Sequence, residues 1–132
     1  MTIPSKATYN PFSPTEPEGR AGRILIELNV PMLNDGFTYL CTAIAETYND
    51  PDVAMYVTKT MTPRVAKRFG TKPDIVHRSI ARALVIMRKH PNKDAKKRYL
   101  GSENAETDVI SIVRGIAQYL HKQDAAKQAS RR

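Results

Sequence analysis

Apolar residues recur along this chain at steps of three and four, the spacing that lines one face of an α-helix. No segment alternates apolar and polar with the period a strand needs over a useful length, so the pattern predicts an all-α fold. After Gly19, Ile24, Leu25 and Leu28 share a face and Pro31 stops whatever precedes it, which predicts a short first helix over about 20–29. Asn34-Asp35-Gly36 then supplies turn and cap chemistry. Phe37, Leu40, Cys41, Ile44, Ala45 and Tyr48 mark a strongly amphipathic helix that ends near Asn49-Asp50-Pro51. Val53 to Thr60 reads as a connector. Thr62 is placed to cap a brief helix with Pro63 at its first position, where a missing N–H costs nothing, and with Val65, Ala66 and Phe69 turned inward. Gly70 ends it. Thr71 with Asp74 three residues on resembles a capping box with the shorter acid, and Val76, Ile80, Ala83, Leu84 and Met87 form one apolar stripe to about residue 89. Pro91 prevents further extension. A short basic helix over 93–100 closes on Tyr99-Leu100-Gly101, and Val109, Ile110, Ile112, Val113, Ile116, Ala117 and Leu120 outline a last helix.

These elements make a compact bundle of about six helices. The expected division is a disordered proline-rich arm over 1–22, with Pro4, Pro11, Pro14 and Pro17, then a helical domain over 23–121, then a polar basic tail over 122–132 that frays from His121. The length of 132 residues fits one modest core. The longest apolar stretch, Ala83 to Met87, is bounded by Arg82 and Arg88 and falls far short of the ~20 residues a membrane span requires. With a single cysteine and no apolar run at its start to serve as a signal, the chain reads as a cytoplasmic protein without disulfides. Cys41 falls on an apolar helix face, which points to a buried, inert thiol.

Charge changes the picture. The formal net charge is +8, and it is segregated: residues 1–58 carry −4, residues 99–132 carry +1, and residues 59–98 hold thirteen basic side chains against only Asp74 and Asp94. So one-sided a segment repels itself, and a polyanion that releases its condensed counterions on contact is the usual relief. Nucleic acid is the first candidate, and the alternative is a solvated face that keeps a small protein soluble.

The helices joined through Phe69-Gly70-Thr71, one brief and one long, have the spacing of a helix-turn-helix over about 62–89. Gly70 meets the turn's need for a left-handed backbone. Ala66, four residues before it, is the small residue that lets the second helix approach closely, and Val76, six after it, is the apolar residue expected there. Ser79 holds a slot that is commonly apolar. Once the stripe from Val76 to Met87 turns inward, Lys72, Asp74, Ile75, His77, Arg78, Ala81 and Arg82 are left outward near the front. A helix entering the major groove offers its N-terminal residues to base edges, and Arg is best able to make a bidentate contact to guanine. The expected base-reading set is therefore Arg78, Arg82, His77, Asp74 and Ile75. Lys59, Arg64, Lys67, Arg68, Lys72, Arg88 and Lys89 would flank it as phosphate contacts that fix register without reading sequence.

Residues from about 23 to 120 also resemble a known family, the C-terminal DNA-binding effector domain of the master response regulator that initiates sporulation in Gram-positive bacteria. The matching stretches are Glu27-Leu28-Asn29-Val30-Pro31, Gly36-Phe37-Thr38-Tyr39-Leu40, Tyr48-Asn49-Asp50, Val57-Thr58-Lys59, Pro63-Arg64-Val65-Ala66-Lys67-Arg68-Phe69, and Val76 with Arg78, Ile80 and Ala83. The resemblance implies a six-helix domain whose third and fourth helices form the helix-turn-helix. It also implies transcriptional regulation at promoter boxes, often as tandem dimers. Arg78 matches a family arginine that contacts DNA. Ile75 and Ala81 stand where the family carries arginines, His77 where it carries glutamate, and Arg82 where it carries histidine, so a different base preference is expected. The family's phospho-accepting receiver domain has no counterpart within these residues, and control by aspartyl phosphorylation is not expected within this chain.

Catalysis finds little support. His77, His90 and His121 have no ligand spacing with each other or with Cys41, there is no His-Glu-x-x-His pair, and no glycine-rich phosphate loop. No enzyme activity, metal or cofactor is expected, and His90 beside Pro91 reads as a helix-end residue meeting terminal carbonyls. The expected partner is double-stranded DNA, with a homodimer on tandem sites and no membrane. The alternative from another class is a protein-interaction module whose basic surface docks an acidic partner or a full-length regulator.

Overall fold

The computed structural model describes residues 16–130. Among them, six α-helices run in the order α1 (Pro17–Glu27), α2 (Asp35–Asn49), α3 (Thr62–Phe69), α4 (Pro73–Lys89), α5 (Lys93–Leu100) and α6 (Val109–Ser130), with no strand. The fold is all-α, as the apolar spacing requires. Pro4, Pro11 and Pro14 of the expected arm lie outside the described residues. Pro17 does not belong to an arm: it opens α1 near its N-terminus, where its fixed φ suits the helix, and Glu18 complements the dipole in the first turn.

The end of α1 explains the Leu28-Asn29-Val30 stretch. Asn29 is left-handed at φ 69°, and the amides of Asn29 and Val30 reach back to the carbonyls of Ile26 and Leu25, which closes a Schellman turn. The Asn29 amide side chain donates to the His90 carbonyl at 2.6 Å, at the far end of α4. Asn92 returns the favour: its Nδ2 donates to the Glu27 carbonyl at 3.0 Å, while its Oδ1 accepts from Ala95 N and caps α5.

Helix α2 is the central element, packed against α1, α4 and α6. Asn34 caps it by accepting from Gly36 N at 2.8 Å. Phe37, Leu40, Cys41, Ile44 and Ala45 are all buried. Gly36 does more than turn chemistry. A Cβ there would stand 2.2 Å from the Ser79 carbonyl oxygen and 2.9 Å from Ala83 Cβ, so the backbones of α2 and α4 meet directly and only glycine fits. Ser79, in a slot expected to be apolar, is half-buried and meets Gly36 through its backbone.

The connector is more ordered than its sequence announced. A 3-10 turn over Pro51–Met55 is followed by a π-turn over Val57–Met61 that runs straight into α3. Thr62 is consequently not a cap. Its backbone is already helical, its N–H bonds to the Val57 carbonyl through the π-turn, and its hydroxyl donates to that same oxygen at 2.7 Å. The capping box at Thr71 and Asp74 is also absent: Lys72 occupies the N-cap position of α4 with no side-chain bond, and Thr71 lies beside the Tyr39 phenol. Gly70 is left-handed at φ 65°, with Thr71 N bonded back to the Ala66 carbonyl at 3.0 Å. The α4 stripe of Val76, Ile80, Ala83, Leu84 and Met87 is buried throughout.

Ile112, Val113, Ile116, Ala117 and Leu120 of α6 are buried, whereas Val109 and Ile110 are half-buried. The helix does not fray at His121; it continues to Ser130 because the turn beyond Leu120 is held from outside. Arg20 pairs with Asp124 at 2.9 Å and donates to Gln123 Oε1 at 3.1 Å, and the Tyr48 hydroxyl also donates to Asp124. The His121 ring stacks on Tyr48 at 4.1 Å between centroids, its Nε2 donating to the Tyr48 carbonyl.

Candidate nucleic-acid interface

The inward stripe of α4 fixes what the opposite face displays. Lys72, Asp74, Ile75, His77, Arg78 and Arg82 are exposed, while Ala81 is half-buried. Asp74, His77 and Arg78 line one cleft of about 530 Å³, together with Pro73 and with Thr58 and Thr62 from the segment that leads into α3. Ile75 and Arg82 do not line it. Arg82 follows Arg78 by four residues, about 6 Å along the helix axis, and so continues the same exposed face. Ile75 is 39% exposed, which leaves an apolar side chain facing outward amid charge.

The flanking cations fall into two groups. Lys59, Lys67, Lys72 and Lys89 are exposed, and their ammonium groups make no hydrogen bond or ion pair among the described residues; the same holds for the guanidinium groups of Arg78 and Arg82. Arg64, Arg68 and Arg88 are already engaged inside the fold. Arg64 reaches Glu46 at 3.5 Å and Asp50 at 3.9 Å. Arg68 pairs with Glu18 at 2.6 Å in a half-buried contact that ties the start of α1 to the end of α3. Burial pushes the Glu18 carboxyl above its usual range despite that partner, and its second oxygen has no hydrogen bond. Arg88 donates to the Thr107 hydroxyl at 3.0 Å and carbonyl at 2.6 Å. It also stands ten residues beyond Arg78, about 15 Å down the rod.

Thr58, in the stretch expected to be a connector over 53–60, also lines the cleft. The signal for it lay in Val57-Thr58-Lys59, which the π-turn now places across from the front of α4. The remaining histidines stand apart from this face. The His90 carbonyl accepts from Asn29, and the His121 ring is bound to Tyr48. Among the described residues no group of three or more His, Cys, Asp and Glu side chains comes together to hold a metal ion, and no helix is long and apolar enough to cross a membrane.

One comparison with known proteins bears on this face. The family model described as Sporulation initiation factor Spo0A C terminal matches residues 22–120. Those residues span all but the start of α1, the whole connector, and the corner between α3 and α4.

Proposed function

The chain belongs to the Spo0A C-terminal family of sporulation initiation factors, a DNA-binding effector family and not an enzyme family, and from that premise we propose that it regulates transcription by binding duplex DNA in a sequence-specific way. In this reading α3 and α4 act as a helix-turn-helix with α4 in the major groove. Arg78 reads a guanine, Arg82 its neighbour, Asp74 a cytosine amino group, and Ile75 a thymine methyl, with His77 between them. Lys59, Lys67 and Lys72 hold phosphates on either side of the groove, and Lys89 extends the track. Arg64, Arg68 and Arg88 belong to the same basic surface and reach phosphate only by exchanging their partners within the fold. Two copies on tandem sites would extend the contact. The observation that carries the proposal is the exposed Arg78, whose guanidinium has no partner among the described residues, lining the cleft where α4 begins.

Selection of bound duplexes from a random pool tests it. The expected result is a short consensus bound roughly a thousandfold more tightly than random duplex, at a fixed salt concentration. Equal binding of selected and random duplexes, with both displaced by an acidic peptide, would instead assign the basic surface to a protein partner.

A further inference from the structure

A cleft of about 320 Å³ opens between the Pro51–Met55 turn and α6. Two opposite charges border it without meeting. The Asp52 carboxylate and the Arg114 guanidinium make no ion pair or side-chain hydrogen bond among the described residues, either with each other or with a third group. Pro51 and the Met55 side chain, which is 55% exposed, also line the cleft. Thr47 forms part of the wall. It is 4% exposed, and its hydroxyl is enclosed with no hydrogen-bond partner among the described residues, an unfavourable state for a polar group. None of these residues is among the DNA contacts proposed above.

We propose that this cleft binds a free α-amino acid with an aliphatic side chain. Arg114 takes the carboxylate as a charge-assisted pair, Asp52 takes the ammonium, and the side chain lies against Met55 and Pro51. A monocarboxylate would leave Asp52 beside a like charge, and an amine would do the same to Arg114. A zwitterion answers both. The volume is at the small end of the roughly 300–1,000 Å³ typical of ligand pockets, which suits a single amino acid. Threonine on a helix populates two χ1 rotamers, and the Thr47 rotamer that turns its hydroxyl toward the cleft would give the bound carboxylate a second donor.

The test is a titration of the isotope-labelled full chain with L-leucine, followed by amide chemical shifts. The controls are 4-methylpentanoate, which lacks the ammonium, and 3-methylbutylamine, which lacks the carboxylate. The expected result is saturating shifts at residues 47, 51–55 and 114–118, with a dissociation constant of about 1 mM or below. Each singly charged analogue should bind about tenfold or more weakly, since each forfeits one charged pair. D52N and R114Q, both at exposed positions, should keep the native spectrum and lose about tenfold in leucine affinity. Absence of saturating shifts, equal binding of an analogue, or unchanged affinity in both variants would overturn the proposal. None of these outcomes bears on DNA binding.

Discussion

Arg20 and Arg78 are the same side chain put to opposite uses at two ends of one small domain. Arg20 is half-buried where α1 crosses the end of α6, with its guanidinium committed to Asp124, Gln123 and the Leu120 carbonyl. Arg78 stands on the surface of α4 with no ion pair or hydrogen bond to its guanidinium among the described residues. A charge answered from within contributes to folding; one left unanswered is available to a polyanion. A basic residue's place in the sequence says little until its internal partners are known. Arg64 and Arg68 make the point most clearly, for they share α3 with Lys67 yet have carboxylates of their own.

The comparison breaks most severely if the two regions cannot be kept apart. Gly36→Ala drives a Cβ into the Ser79 carbonyl and must lift α4 off α2, so it should destabilise the domain by about 3 kcal/mol and weaken DNA binding along with it. A melt unchanged from the parent would mean that α4 is not seated on Gly36. Next comes Arg78→Ala, expected to cost about 1–3 kcal/mol of affinity on the selected duplex and to relax base choice at one position, with no change in melting temperature. Its counterpart is Arg20→Ala. That change should lower stability by about 1–2 kcal/mol, through lost charged hydrogen bonds to half-buried Asp124 and the Leu120 carbonyl, and leave the DNA consensus intact.

Acid acts on the Arg20 end through Asp124. Arg20, and then Tyr48, hold the Asp124 carboxyl below the usual carboxylate range. The unfolded chain therefore takes up the proton first as pH falls, so the contribution of Asp124 to stability is full at neutral pH and is lost as pH drops through the folded value. Asp124→Asn should flatten that acid limb in melts recorded from neutral to strongly acidic pH. The smallest effect belongs to Lys67→Ala, expected to weaken all duplexes alike by about 1 kcal/mol or less and to reduce the salt slope by about one. A selective loss on the consensus would move Lys67 from positioning to reading.

Most of the fold was legible because helical spacing is local information. Val76, Ile80, Ala83, Leu84 and Met87 announced which face of α4 turns inward, and the structure buries each of them. What escaped was set by residues far away in the chain. Gly36 looked like a turn glycine because its reason, the Ser79 backbone, lies in another helix. The extension of α6 past His121 depends on Arg20 and Tyr48, for which the polar stretch after Leu120 offers no pattern. Thr62 and Thr71 looked like caps because they precede helices, but a continuous π-turn and a neighbouring tyrosine took over. For the interface, the outward set on α4 followed from the inward stripe. The engagement of Arg64, Arg68 and Arg88 did not, since Glu46, Glu18 and Thr107 arrive from other elements.

The two asparagines at the α1 and α4 junctions carry a final consequence. Asn29 closes one helix and grips the last carbonyl of the other, and Asn92 grips back. Neither terminus loosens by itself. Backbone amides near Val30 and His90 should then exchange with heavy water at matched rates, opening as one cooperative unit, and so the base of the rod on which Arg78 sits is steadied by residues that never approach a duplex.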